Sequence, residues 1–171
     1  MNELLKLRGE VGVLRNQIAG LGKVREENQQ LQAQTAVAKN QLDQIAAEAA
    51  IKQRRIDMRN AMKQLVLAMR IYAGDHNDQY ATNFDQFQNE LGGVTNFQGN
   101  VGLDTFEFMN VGLVNDTMPQ MIIFREQVSR QISNGQWERV YGLADGSVQT
   151  VTSDDVKFTV WGQQHSPQLN Q

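Results

Sequence analysis

Apolar side chains recur at helical spacing through the first 50 residues of the chain. In the first seam the steps alternate between three and four residues, which is the a/d heptad pattern of a coiled coil. The apolar positions then move to a second seam that begins at Val24, a change equivalent to a three-residue stammer. Gly20 and Gly22 lie at this change, and each costs about 1 kcal/mol relative to Ala in a helix, so we predict a weak point or kink at 19–23.

The aliphatic members of the two seams are the candidate residues for oligomerisation or partner binding. They are Leu4, Leu7, Val11, Leu14, Ile18, Leu21, Leu31, Leu42 and Ile45. Asn28 and Thr35 share the second seam and weaken it. Three interpretations stay open at this point: self-association as a dimer or trimer, docking on a different partner, or a lone extended helix ordered only at its C-terminal end.

A second apolar stripe, between residues 54 and 73, has the spacing of an amphipathic helix. It consists of Met58, Met62, Leu65, Val66, Met69 and Tyr72. The stripe stops at Gly74, and the polar residues Asp75, Asn77 and Asp78 follow, as is usual where a helix ends. We therefore predict that this helix docks its apolar face on the second half of the chain.

Short elements are predicted beyond that helix. Residues 83–91 favour a short helix that Gly92 and Gly93 end, and residues 94–103 favour a loop. The segments 105–109 and 121–124 predict strands, and the compact apolar run of the second one indicates a central strand.

Two dipeptides that suit type I′ turns, Asn134-Gly135 and Asp145-Gly146, predict an antiparallel meander of three or four strands. Ser153 and the two acids after it favour a helix start, with Val156, Val160 and Trp161 facing inward. Alternation of apolar residues in the same segment also leaves a further strand open.

The fold class predicted from these patterns is α+β, a long N-terminal helix whose C-terminal part packs on a small antiparallel sheet. The predicted domains are a coiled-coil stalk at 1–53, a head at 54–165 that shares the helix 54–73, and a disordered tail at 166–171. The predicted core consists of Met62, Leu65, Val66, Met69, Tyr72, Phe87, Phe106, Phe108, Ile122, Phe124, Val140, Tyr141, Leu143, Val148 and Trp161.

Charge and aromatic content also differ between the two halves of the chain. Residues 1–73 hold 12 Lys and Arg against 7 Asp and Glu, whereas residues 74–171 hold 4 against 12, so the halves carry +5 and −8. All twelve aromatic residues lie from Tyr72 onward. Lys52, Arg55, Arg59 and Lys63 form a basic stripe, which we interpret as a solvated helix face. We do not expect nucleic-acid binding, because no aromatic residue is interleaved with the stripe for base stacking.

Catalytic chemistry is not indicated by the sequence. The chain has no Cys, and its two histidines, His76 and His165, lie in a turn and in a polar tail. Glu107, Glu126 and Glu138 fall on predicted strands with no basis for pairing them as acid and base. Asp154 and Asp155 are better explained by helix capping than by metal binding. We expect no enzyme activity, no cofactor, no metal and no small-molecule substrate.

Three stretches together resemble the type IV pilin and type II secretion pseudopilin family, most closely the prepilin-like proteins of Planctomycetes and Verrucomicrobia. They are Met62 to Tyr80, Phe106 to Glu126, and the hairpin VYGLADGSV at residues 140–148. The resemblance covers about 55–165. It implies a helix packed on a C-terminal sheet, a structural or assembly role, and a place in the cell envelope.

The chain departs from that family in its N-terminal half. A polar heptad helix stands where the family has an apolar membrane-spanning helix preceded by a peptidase site, and Ala81 stands where Pro is usual. We therefore expect membrane association only through an anchor upstream of this chain. The main functional expectation is a pilin-like assembly component, and the alternative is an oligomerising binding or regulatory module of a larger membrane-anchored protein.

Overall fold

The computed structural model describes residues 2–109, 118–132 and 134–166. The chain divides into two compact units, Met1–Ala50 and Ile51–Gln171, and helix α1 (Asn2–Asp75) contributes to both. Every described residue of the N-terminal unit is exposed. The α-helix continues without a break through 19–23, where the two glycines lie. The predicted tail at 166–171 lies outside the described residues apart from Ser166.

The C-terminal unit is built on the last turns of α1. The predicted apolar stripe is buried there, except for Tyr72, which is partly buried. Three alanines of the same face are buried with it; the buried apolar residues are Met58, Ala61, Met62, Leu65, Val66, Ala68, Met69 and Ala73. The helix ends at Asp75, and the amides of His76 and Asp78 both donate to the carbonyl of Ala73. Asn77 and Asp78, in the polar segment predicted to follow the helix, adopt left-handed backbone conformations, with φ of 54° and 58°.

The segment between α1 and the sheet differs in part from its prediction. The short helix is a 3-10 helix, Phe84–Phe87, and the side chain of Asn83 accepts a hydrogen bond from the amide of Gln86 at its start. The predicted loop at 94–103 contains a small antiparallel hairpin, β1 (Asn96–Phe97) and β2 (Val101–Gly102). Its two-residue strands are too short to show an alternating sequence pattern.

The main sheet is antiparallel and contains five strands within the described residues. They are β3 (Phe106–Phe108), β4 (Ile122–Glu126), β5 (Arg130–Gln131), β6 (Trp137–Leu143) and β7 (Val148–Ser153). Because β7 pairs with residues of β6 that also pair with β4 and β5, those two strands must share the other edge of β6. The sheet is therefore four strands wide, and the predicted α+β fold is confirmed.

A register shift in β4 exchanges the two faces of that strand. Ile122 pairs with Leu143, but Phe124 pairs with Gly142, so Ile123 is an extra residue between them, as in a β-bulge. As a result, Ile123 and Phe124 both belong to the core that packs on α1. Ile122 belongs instead to a smaller cluster on the other face, with Tyr141, Leu143 and Phe158.

Two local predictions in the C-terminal part of the sheet were wrong. The turn at Asp145-Gly146 is not type I′, because Gly146 alone has a positive φ, 92°, and its amide donates to the carbonyl of Leu143. This arrangement is the longer hairpin loop with a glycine bulge. Helix α2 (Thr159–Gln164) begins six residues after Ser153, which is the last residue of β7.

Most of the predicted core is confirmed. Eleven of the fifteen residues are buried, and Tyr72, Phe108, Val148 and Trp161 are partly buried against them. Val156 and Val160, which were expected to face inward, are exposed. Phe158, between them, is buried instead, and its φ of 54° turns the chain into α2. Its burial was not predicted.

Helix α1 and strand β6 approach each other closely at Gly142. A Cβ atom added at this glycine would overlap the side chains of Val66 and Met62, both fully buried. We predict that Gly142→Ala lowers the free energy of unfolding by about 1–3 kcal/mol, the usual cost of overpacking a core. Urea denaturation followed by tryptophan fluorescence measures this change.

Gly162 provides the matched control, since it lies in α2 with no atom within 4 Å of an added Cβ. Gly162→Ala should leave the free energy of unfolding unchanged or raise it by up to about 1 kcal/mol. Equal effects of the two substitutions would contradict a close contact between α1 and β6.

Candidate functional site

The candidate interaction residues of the sequence analysis form an exposed apolar surface on α1. All nine lie in the N-terminal unit, and their exposed fractions run from 46% at Val11 to 69% at Leu21. The stripe that continues the same helix into the C-terminal unit is buried, with Met62 and Leu65 at 0%. The apolar face of α1 is therefore covered in the C-terminal unit and exposed in the N-terminal unit.

An exposed seam of this composition has a physical cost. Soluble proteins rarely leave a contiguous apolar patch of more than a few hundred Å² exposed unless it is an interaction surface. Each large aliphatic side chain that becomes buried contributes about 1.5–3 kcal/mol. The nine residues of the two seams can therefore supply ample free energy for association. The ordering of side chains and the loss of translational and rotational freedom oppose it.

A second candidate site is a cluster of charged residues in the C-terminal unit. Arg55 of α1 contacts both carboxylate oxygens of Glu138 on β6, at 2.8 Å and 3.0 Å. Nη2 of Arg130 lies 3.3 Å from Glu138 and 3.9 Å from Glu126. Glu126 is 2% exposed and Glu138 is 4% exposed. Two buried carboxylates therefore meet at the guanidinium group of Arg130, and Arg55 binds one of them.

The two acids reach this cluster because of strand alternation. Glu138 lies two residues before Val140, which packs in the core against α1, so both side chains point to the same face of the sheet. The amide of Val140 donates to the carboxylate of Glu126 at 3.3 Å. The sequence pattern did not pair Glu126 with Glu138. The spacing of two residues between Glu138 and the core residue Val140 is the feature that places Glu138 on the core face of the sheet. Glu107, the third acid considered, pairs with Arg125.

Burial dominates the electrostatics of Glu126. It raises the pKa of this carboxyl above the ordinary value of 4.5, and the Arg130 guanidinium opposes the shift. Arg130 uses Nη2 for both of its acidic contacts, and its buried Nε and Nη1 atoms have no hydrogen-bond partner in the described part of the chain. The attraction is thus too weak to offset the loss of hydration at Glu126.

A cavity of about 240 Å³ adjoins the cluster. Its lining consists of Arg54, Asp104, Thr105, Glu126, Gln127, Val128 and Arg130. The charges of Arg54 and Arg130 are matched by those of Asp104 and Glu126, so the cavity favours neither anions nor cations. The arrangement is typical of a structural ion-pair network that joins α1 to the sheet.

The other candidates of the sequence analysis are not brought together. In the basic stripe, Lys52, Arg59 and Lys63 are exposed, whereas Arg55 is half-buried and paired with Glu138. His76 stacks on Tyr72, and His165 stacks on Trp161.

The two adjacent acids after β7 act in the local backbone structure. Asp155 accepts hydrogen bonds from Thr159 and from the amide of Lys157, and these bonds lower its pKa to about 2. Asp154 accepts one from Gln136. Among the residues that the structure describes, no group of three His, Cys, Asp or Glu side chains could hold a metal ion.

Comparison with known proteins adds no assignment: no family model, no curated protein and no solved structure matches the chain. A search of the described helices finds no segment long and apolar enough to cross a membrane. The resemblance to the pilin and pseudopilin family therefore stays a prediction from the sequence.

The raised pKa of Glu126 generates a test of the cluster. Its folded pKa lies above the unfolded value, so proton binding stabilises the fold fully below pH 4.5 and less as pH rises through the folded pKa. Glu126→Gln keeps an acceptor for the amide of Val140 but does not ionise. We predict that its free energy of unfolding, relative to the unaltered protein, increases as the pH is raised from 4.5 to neutrality.

Glu107→Gln is the control, because this carboxylate is paired with Arg125 and half-exposed. Chemical denaturation at several pH values measures both variants. A relative stability of Glu126→Gln that falls with rising pH would mean that attraction to Arg130 outweighs burial.

Proposed function

We propose that this chain is a non-enzymatic assembly component that self-associates through the heptad seams of its N-terminal unit and thereby gathers copies of its C-terminal α+β unit. The observation that carries the proposal is the exposure of all nine seam residues, from Leu4 to Ile45, on one helix. Interaction surfaces are the usual reason for such exposure in a soluble chain.

The pilin-like form of this role is supported by the C-terminal unit. Its helix, with Met62, Leu65 and Val66 at the buried face, packs on an antiparallel sheet that ends in the hairpin at 140–148. That is the arrangement expected from the resemblance to pilins and pseudopilins. In this form the protein is a structural component of an envelope assembly.

A second candidate function is an oligomerising binding or regulatory module of a larger membrane-anchored protein. It is favoured by the polar residues that flank the seam, since a heptad helix of this kind suits association in water better than the apolar core of a filament. Both candidates require the seam to bring copies together, and they differ in what the C-terminal unit then contacts.

Two paired substitutions on α1 test self-association. Leu7 and Leu14 lie on the seam, whereas Leu5 and Val13 lie off it and are equally exposed in the single chain, at 67% and 58% against 59% and 55%. We expect Leu7→Asp/Leu14→Asp to reduce the solution mass to that of a monomer. The control Leu5→Asp/Val13→Asp adds the same charge and should keep the oligomer.

Light scattering coupled to size-exclusion chromatography, over a dilution series of the full chain, measures the mass. Fluorescence of the C-terminal unit, which contains both tryptophans, should be the same in all variants. A monomeric unaltered chain at every concentration, or equal masses for the two variants, would refute self-association through the seam.

A further inference from the structure

Heptad positions in the first seam separate two kinds of apolar residue. With Leu4 assigned to position a, the d column is entirely leucine and the a column is β-branched after its first member. The a residues are Leu4, Val11 and Ile18, and the d residues are Leu7, Leu14 and Leu21. Within a parallel coil, β-branched residues at a with leucine at d favour two strands over three or four.

Charged residues flank this seam in a self-complementary order. Position g is occupied by Glu3 and Glu10, and position e by Arg8 and Arg15. All four residues are exposed, and none has an ion-pair partner among the described residues. In a parallel coil, a g residue faces the e residue five positions later on the other strand. Glu3 then faces Arg8 of the second copy, and Glu10 faces Arg15, on both sides of the coil.

The same charges do not support an antiparallel coil. In that orientation g residues face g residues and e residues face e residues, so Glu3, Glu10, Arg8 and Arg15 lose the oppositely charged partners that a parallel coil gives them. The charged positions therefore favour the parallel orientation, whereas the apolar residues fit either direction.

Asn28 gives an independent indication beyond the stammer. On the second seam Val24 and Leu31 occupy d positions, which places Asn28 at a. A single asparagine at an a position specifies register and strand number, because its amide finds a partner only when it faces the same residue of another strand. Parallel strands in register bring the two Asn28 side chains together, whereas a shift of one heptad places Asn28 against Thr35, which has no amide to pair with it.

From these observations we infer that the occupant of the seam is a second copy of this chain, bound parallel and in register as a two-stranded coil. The inference rests on the proposed self-association and adds its partner, orientation and stoichiometry. Both copies of Ala50, where the N-terminal unit ends, then lie at the same end of the coil. The two C-terminal units begin side by side as a pair.

Single cysteines test the orientation cleanly, because the natural chain has none. Leu7→Cys and Ile45→Cys each place a thiol at a d position, one on each seam. Under mild oxidation of the full-length protein, each variant should form a disulfide-linked dimer with its own copy. An equimolar mixture, exchanged before oxidation, should yield no more of the mixed dimer than of either self-linked dimer.

An antiparallel coil over the same span gives the opposite result, since it brings residue 7 of one copy near residue 45 of the other. Preferential mixed dimers, with little self-linking of either variant, would overturn the inference while leaving self-association intact. A trimeric mass for the unaltered chain would overturn the two-stranded assignment alone. A monomeric mass would refute the proposed function itself.

Charge reversal tests the contacts that set the orientation. Glu3→Arg/Glu10→Arg replaces every attractive g–e contact by a repulsive one, and we expect it to weaken the dimer on the order of 100-fold. Adding Arg8→Glu/Arg15→Glu to the same chain restores opposite charges across a parallel coil, and the affinity should return. Low affinity in the fourfold variant, or unchanged affinity in Glu3→Arg/Glu10→Arg, would contradict the g–e pairing.

Discussion

Burial of one face of α1 on strand β6 is the contact on which the C-terminal unit depends. Met62, Leu65 and Val66 are fully buried there, and full burial of such side chains contributes about 1.5–3 kcal/mol each. Gly142 permits the close approach, since a side chain at that position would overlap Met62 and Val66. The same strand also joins the rest of the sheet, because β6 pairs with β4, β5 and β7.

Polar contacts reinforce the same junction from the edges of the helix. Arg55 binds Glu138 near one end of β6, and Arg70 donates to the carbonyl of Asp145 in the turn after its other end. The buried Glu138 loses hydration on folding, which offsets much of its attraction to Arg55, so this ion pair aligns the helix more than it stabilises it. The raised pKa of Glu126 shows the same balance.

The two ends of helix α1 thus lie in different environments. Its C-terminal turns are covered by the protein's own sheet, while its N-terminal turns leave an equally regular apolar seam exposed. In the proposed dimer, a second copy would bury that seam as the sheet buries the apolar face of the C-terminal unit. The charges flanking the seam would favour one orientation of the two copies, so residues that contribute little to the fold of a single chain would set the direction of the coil.

Local sequence patterns determined the long helix, its buried stripe, the seam residues and several strands. Apolar spacing determined the helix and its faces, short apolar runs determined the strands around Phe106 and Ile122, and turn dipeptides determined the strand around Val140. Only the tertiary structure decided the bulge at Ile123, the burial of Phe158 and the meeting of Arg55 with Glu138, 83 residues apart. These features depend on register and on contacts distant in sequence, and a one-residue shift in a strand exchanges its faces. The seam could be predicted from the sequence because the residues that share one face of a helix are set by helical periodicity and not by tertiary contacts.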